Sequence, residues 1–306
     1  MSIVIDAHSD TLLFVSRGLY RLNDDSADAQ VDIPKLRTGG VTAQVLALYV
    51  ESAYQRAPAH RTCELIDLAY RECAAASSAM LVATSAAEVR AAKTTNQIAL
   101  LLSIEGGEAL ECSLAMLRIY HRLGVRLLGL THNPRNLLAD GLDASAAPGG
   151  LTPFGRDVVT EMERLGIVVD VSHLAEPGFW EVMAMAARPV IASHSKVRAV
   201  GHPRGLSDEQ ILALAKTEGM LGINLYRLQE LDAIVEQIDH VRELVGSDYV
   251  GLGLDFYGRA EAPRDLQDIS QLPRLSDRLQ QRGYPSREID NIMGENFLRV
   301  FGAVTG

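Results

Sequence analysis

Eight short apolar runs recur along the chain, each bounded by polar residues or glycine: Ile3–Ala7, Val41–Tyr49, Ile98–Ile104, Val125–Leu130, Ile167–Val171, Pro189–Ser193, Met220–Leu225 and Tyr249–Leu254. Runs this short and this uniformly apolar read as strands buried on both faces. Between them lie stretches with helical periodicity, at Cys63–Met80, Ala109–Leu123, Pro153–Leu165, Pro177–Ala187, Asp208–Glu218 and Leu231–Val245. Thr152 ahead of Pro153, and Ser207 with Gln210 three residues on, are helix starts. Strands apolar on both faces, alternating with helices along the chain, predict a parallel (β/α)8 TIM-type barrel. With 306 residues and no break in composition or internal repeat, the expectation is one barrel domain spanning 1–306.

The formal net charge of −10 argues against nucleic acid and against an anionic membrane surface as partners. Cys63, Cys73 and Cys112 are odd in number and lack C-x-x-C spacing, so neither a disulfide framework nor a zinc knuckle is indicated. The N-terminus, MSIVIDAHSD, meets charge too early for a secretory segment, and no apolar run approaches about 18 residues. A cytoplasmic protein with no membrane partner is therefore expected.

In a barrel of this kind the active site sits where the strands end, and here those ends carry ligand-type residues. His8 and Asp10 close the first run, Glu105 the third, His132 the fourth, His173 the fifth, His194 the sixth, Tyr226 the seventh and Asp255 the eighth. The densest stretch is Ile167–Ser195, a β-α-β pattern with an imidazole at each strand end. Neighbouring strands lie roughly 5 Å apart, so His173 and His194 can close on one ion. Alternation along a strand puts Ser103 with Glu105, Ala192 with His194, Gly222 and Asn224 with Tyr226, and Gly251 and Gly253 with Asp255, all inward. Leu100, Leu102, Leu252 and Leu254 then face the helices. Asp6 competes with Asp10, and Glu108 with Glu105; spacing two from His8 favours Asp10, and Glu108 reads as first-turn helix charge.

Imidazoles combined with carboxylates suit zinc better than calcium or magnesium. Five protein ligands exceed what one catalytic zinc takes, so the count predicts two ions roughly 3.5–4 Å apart with a hydroxide generated between them. The four lysines, Lys35, Lys93, Lys196 and Lys216, lie outside the predicted strands, which leaves Glu105 as the bridge.

The segments DAHSDTL (6–12), SIEGGEAL (103–110), LTHNPRN (130–136), GLTPFGRDVVTEMERLGIVVDVSHL (150–174), IASHS (191–195), HPRGLSDEQI (202–211), GINLY (222–226), VGLGLDFYG (250–258) and GENFLRVF (294–301) resemble, in this order and spacing, the membrane (renal) dipeptidase family of dinuclear zinc peptidases. The resemblance implies that His8, Asp10 and Glu105 hold one zinc, and that Glu105, His173 and His194 hold the other. It also implies that His132 touches the scissile carbonyl or its oxyanion, Arg204 pairs with the substrate carboxylate, Asp255 handles the water and leaving-group proton, and Tyr226 lines the pocket. The implied substrates are dipeptides, L-L and also L-D, and the implied assembly is a homodimer. An N-acyl-amino-acid deacylase would share every metal ligand, and a non-catalytic metal-stabilised binding protein is the reading from another class.

Departures from the family pattern are Gly205 where Asn is usual, an interval from His194 to Arg204 one residue shorter, Tyr257 in place of Asp, and Leu13 in place of an aromatic. Leu138–Leu151 is expected to edge the site. Arg259–Arg282 is expected to wrap the barrel ahead of a terminal helix near Arg287–Phe301.

Overall fold

The structure, a computed structural model, describes residues 2–143, 147–258 and 262–306. Its strands are β1 (Ile5–Asp6), β2 (Ala43–Tyr49), β3 (Met80–Val82), β4 (Ile98–Glu105), β5 (Val125–Gly129), β6 (Val168–Asp170), β7 (Ile191–Ser195), β8 (Met220–Ile223) and β9 (Val250–Leu252). All pairings are parallel, in the order β1-β2-β4-β5-β6-β7-β8-β9, with β3 added beside β4. The ends of this path meet where Ala7 N–H donates to Leu252 O and Ser9 bridges Phe256. The fold is the expected (β/α)8 barrel. Among the described residues, no helix is long and apolar enough to cross a membrane.

Two apolar layers follow from strand alternation. The inner one joins Ile5, Val45, Leu101, Leu127, Val168, Ile191 and Met220 to Phe297, Leu298, Val300, Phe301 and Val304 of the helix Asn296–Thr305. The outer one holds Leu100, Leu102, Leu252 and Leu254 against the surrounding helices, as alternation predicts. The terminal helix thus plugs the end of the barrel where the strands begin. Its entry needs Gly294, because a Cβ there would strike the carbonyl of Ile3. Asn296 anchors it, donating to Ser247 O and Val250 O at 2.7 and 2.8 Å. With that end filled by hydrocarbon, polar side chains gather at the other.

The predicted helix starts are present: Thr152 accepts from Gly155 N–H, and Ser207 with Gln210 forms a capping box. Two helix assignments are corrected. The stretch Cys63–Met80 is a helix only as part of Pro58–Ala75, and Met80 opens β3; a second helix, Ala86–Thr94, follows. A three-residue strand is too short to show a period. The stretch Ala109–Leu123 divides into a 3-10 turn, Gly107–Leu110, and a helix, Leu114–Arg122. Glu111 and Cys112, both left-handed with φ 45° and 59°, separate them. Residues 144–146, in the segment expected to edge the site, and 259–261, at the start of the expected connector, lie outside the described residues.

Candidate metal centre

The ligand-type side chains reach the mouth of the barrel through breaks in regular strand geometry. Ile3, Ile5 and Ala7 line the interior, so strict alternation would turn His8 outward. Instead, Ala7 N–H bonds to Leu252 O on one neighbouring strand and Ser9 N–H to Val45 O on the other. In a regular strand, amides two apart face the same neighbour; the switch between them swings His8 inward. A buried carboxylate takes up the disrupted amides: Asp6 Oδ1 accepts from Leu254 N–H at 2.7 Å and from His8 N–H at 3.5 Å, and Oδ2 accepts from Gln44 Nε2 at 2.8 Å. Asp6 is committed to the backbone, which leaves Asp10 as the acid at the site.

The same device recurs on β7. Ala192 was expected to share the inward face with His194, but Ile191 occupies the interior and Ala192 the outer layer. A register irregularity between Ala192 and Ser195 restores His194 to the inside. Asp170 Oδ1 accepts from Ser172 N–H and Ser193 N–H, each at 2.9 Å, and Oδ2 accepts from Ser193 Oγ at 2.5 Å. Ser193 Oγ also lies 2.8 Å from His194 Nδ1. Since the hydroxyl gives its one proton to Asp170, it accepts from Nδ1–H. His194 therefore turns Nε2 toward the centre.

His173 sits three residues beyond β6 at φ 63°, a left-handed conformation that a side chain adopts only under constraint. Its Nδ1 donates to Asn133 Oδ1 at 2.9 Å, so its Nε2 also faces inward. That Nε2 stands 2.8 Å from His194 Nε2 and 3.3 Å from Glu105 Oε1, and His194 Nε2 stands 3.5 Å from the same oxygen. The other oxygen of Glu105, Oε2, faces His8 Nε2 at 3.6 Å. Among the described residues, three groupings of donors lie within mutual reach: His8 with Glu105 and His194, Glu105 with His132 and His173, and His8 with Asp10 and Asp255. All seven strand-end His, Asp and Glu residues singled out in the sequence converge. The structure also puts His132 and Asp255 among the donors themselves.

The donor set fits divalent cations. Both ring nitrogens of His8 and Oδ1 of Asp10 are buried without a hydrogen-bond partner, a state that proteins rarely leave uncompensated. Three carboxylates share the pocket. Burial pushes Asp10 well above the usual carboxylate range, with Glu105 and Asp255 adding repulsion. Burial likewise lifts Asp255 to about 7, opposed by His194 and reinforced by Glu105. Glu105 is held well below the usual range because His8, His173 and His194 outweigh its burial. Burial opposes charge on His194, yet its hydrogen bond to Glu105 and the charge of Asp255 raise it to about 9. Acids competing for too few positive charges are what a bound cation would relieve.

The remaining candidates lie around this cluster. Arg204 is exposed, and its Nη2 donates to Asn133 Oδ1 at 2.7 Å and pairs with Asp143 at 3.2 Å. Despite the shorter interval, it is one residue removed from His173. Tyr226 is exposed, three residues beyond β8, and Leu13 is buried. Tyr257 is a structural lock: its hydroxyl accepts from Gln30 N–H at 2.5 Å and Val31 N–H at 3.3 Å. Glu108 accepts from Asn136 Nδ2 outside the cluster. A groove of about 860 Å3, lined by Tyr49, Arg56, Glu108, His132 and Arg135 among others, opens beside the centre. It touches the cluster through His132.

Asn133, Asp170, Ser193 and Lys196 were not anticipated from the sequence. Lys196 follows β7 directly and is only 7% exposed; burial lowers it to about 8 against the pull of Asp255. Its position two residues after His194 was the available signal.

A family model described as membrane dipeptidase (peptidase family M19) matches residues 1–306. Dipeptidase aclJ of Aspergillus oryzae is 35% identical over 98% of this chain and 77% of its own length. Dipeptidase 3 of Mus musculus is 33% identical over 98% of this chain and 64% of its own length. A metallopeptidase from Rhodobacter sphaeroides, solved with a phosphinate mimic of L-Ala-D-Ala, superposes with a TM-score of 0.93 at 26% identity, covering 99% of this chain and all of that one. A dipeptidase of family M19 superposes with a TM-score of 0.93 at 27% identity, covering all of this chain and 99% of that one.

Proposed function

The chain belongs to the membrane dipeptidase family, peptidase family M19, whose members are metal-dependent peptide-bond hydrolases, and from that premise we propose a dinuclear zinc dipeptidase. In this reading His8, Asp10 and Glu105 hold one ion, with Asp255 adjoining, and Glu105, His173 and His194 hold the other. The observation that carries it is Glu105, whose Oε1 faces His173 and His194 while Oε2 faces His8. A carboxylate set between a pair of imidazoles and a third one is a bridging arrangement, and imidazole with carboxylate favours zinc. Ions so held would act as Lewis acids on the scissile carbonyl and make a water acidic enough to attack it.

The chain's own residues supply the rest. His132, its ring centroid 4.5 Å from that of His173, donates to the carbonyl oxygen as negative charge develops there. Asp255, within 4.0 Å of His8 Nε2, takes the proton of the water and passes it to the leaving amine. Arg204 receives the substrate's terminal carboxylate, for which a planar guanidinium is well shaped. Tyr226 forms the wall. The phosphinate mimic of L-Ala-D-Ala held by the Rhodobacter sphaeroides relative supports including L-D dipeptides among the substrates.

The test is amine release from L-L and L-D dipeptides, set beside their N-acyl counterparts, before and after chelation. Release from free dipeptides that disappears with chelator and returns with zinc is expected. Release from N-acyl amino acids alone would move the reading to a deacylase. Turnover of neither by protein carrying two ions would leave a binding protein.

A further inference from the structure

Lys196 is a largely buried cation with no anion at ion-pair distance. Its backbone is pinned, the carbonyl accepting from Leu206 N–H and the following amide, Val197 N–H, donating to Gln237 Oε1. Its side chain is largely enclosed, and among the described residues Nζ makes no hydrogen bond or ion pair; Asp255 acts on it only from beyond that distance. The ammonium lies 5.4 Å from the centre of the Tyr226 ring, and the Arg227 guanidinium lies 5.1 Å from the same ring. Elsewhere the fold satisfies such a group: Lys35, with a side chain 13% exposed, bonds to Asp32 and to Ser26 O, each at 2.6 Å. Enclosing an ammonium with its anion held at a distance is costly, and a ring face compensates only in part.

The site thus carries positive charge at two separate edges. Arg204 stands beside His173, held by Asn133 and Asp143. Lys196 stands two residues past His194, against Tyr226 and with Arg227 nearby. One edge suffices for a terminal carboxylate, and the other calls for a second. Resting on the dipeptidase reading above, we propose that the preferred substrates are dipeptides with an acidic side chain and that Lys196 receives that side-chain carboxylate.

The experiment compares kcat/KM of wild type and K196M on L-Ala-L-Glu, L-Glu-L-Ala and their glutamine counterparts, with L-Ala-L-Ala as reference. Melting temperature and metal content are read for each protein. A charge-assisted contact of this kind predicts a Glu-over-Gln preference on the order of 10–100-fold at one of the two positions, carried in KM. In K196M that preference falls to within about threefold, while L-Ala-L-Ala turnover and metal content are retained. A wild type without the preference, or a preference that survives K196M, overturns the proposal. Equal loss on all five substrates also overturns it, because Lys196 would then serve the terminal carboxylate. K196Q carries the same comparison if K196M does not fold, and failure of both to fold assigns Lys196 to the scaffold instead. A wild type that turns over none of the five overturns the dipeptidase reading itself and this inference with it.

Discussion

The Nε2 atoms of His173 and His194 stand 2.8 Å apart, and both face Oε1 of Glu105. Their tautomers are set from behind, one by Asn133 and the other by Ser193, so the two lone pairs are directed at a common point. Stripping the protein with chelator is expected to abolish dipeptide hydrolysis and to lower the melting temperature, both reversed by zinc. A ligand present at 100 times its Kd contributes about 2.7 kcal/mol. Elemental analysis should give two zinc ions per chain, and E105Q should hold fewer than one. Full activity in protein without measurable metal would overturn the metal reading.

Asp170 orients His194 through Ser193 and also carries the amides of Ser172 and Ser193. D170N is expected to weaken metal binding on the order of 10–100-fold, the range for groups that orient a ligand from behind. S193A, which removes the relay but keeps the carboxylate on the backbone, should weaken it less. Competition with a chelator of known affinity measures both, and wild-type affinity in D170N would contradict the relay.

Asn133 Oδ1 receives His173 Nδ1–H and Arg204 Nη2–H together. R204A is expected to raise KM for dipeptides on the order of tenfold or more with metal content unchanged. N133A should both raise KM and reduce metal retention, since it frees two partners. Unchanged kinetics in R204A would show that the substrate carboxylate is held elsewhere.

Asp6 is fully buried, and burial lifts it to about 6 against hydrogen bonds from Leu254, Gln44 and His8. Its folded-state value lies above the unfolded one, so the folded state binds the extra proton. In metal-free protein the contribution is full below about pH 4 and is lost as pH rises through 6, amounting to about 3 kcal/mol. D6N should flatten this part of the pH dependence of stability, with Gln44 turning its unpaired Oε1 toward the new amide. Denaturant titrations of both proteins between pH 4 and 7 measure it, and parallel curves would show that Asp6 does not titrate in that window.

The barrel was legible in the eight apolar runs, because a strand covered by helices on one face and packed into a barrel on the other must be apolar throughout. Helix starts at Thr152 and Ser207 were legible too, since a cap is made by residues a turn apart. The positions of the ligand-type residues could be read because this fold opens its site where strands end. Their orientation could not. His8 and His194 reach the centre by breaking the alternation that the sequence alone would impose, and each break depends on which neighbouring strand accepts a given amide. The roles of Asp6 and Asp170 are decided by those same amides, and the left-handed turns at His173 and Asp255 by the packing around them. Chain-local periodicity determined which residues lie near the mouth of the barrel. Hydrogen bonds between strands distant in sequence decided which of them face one another.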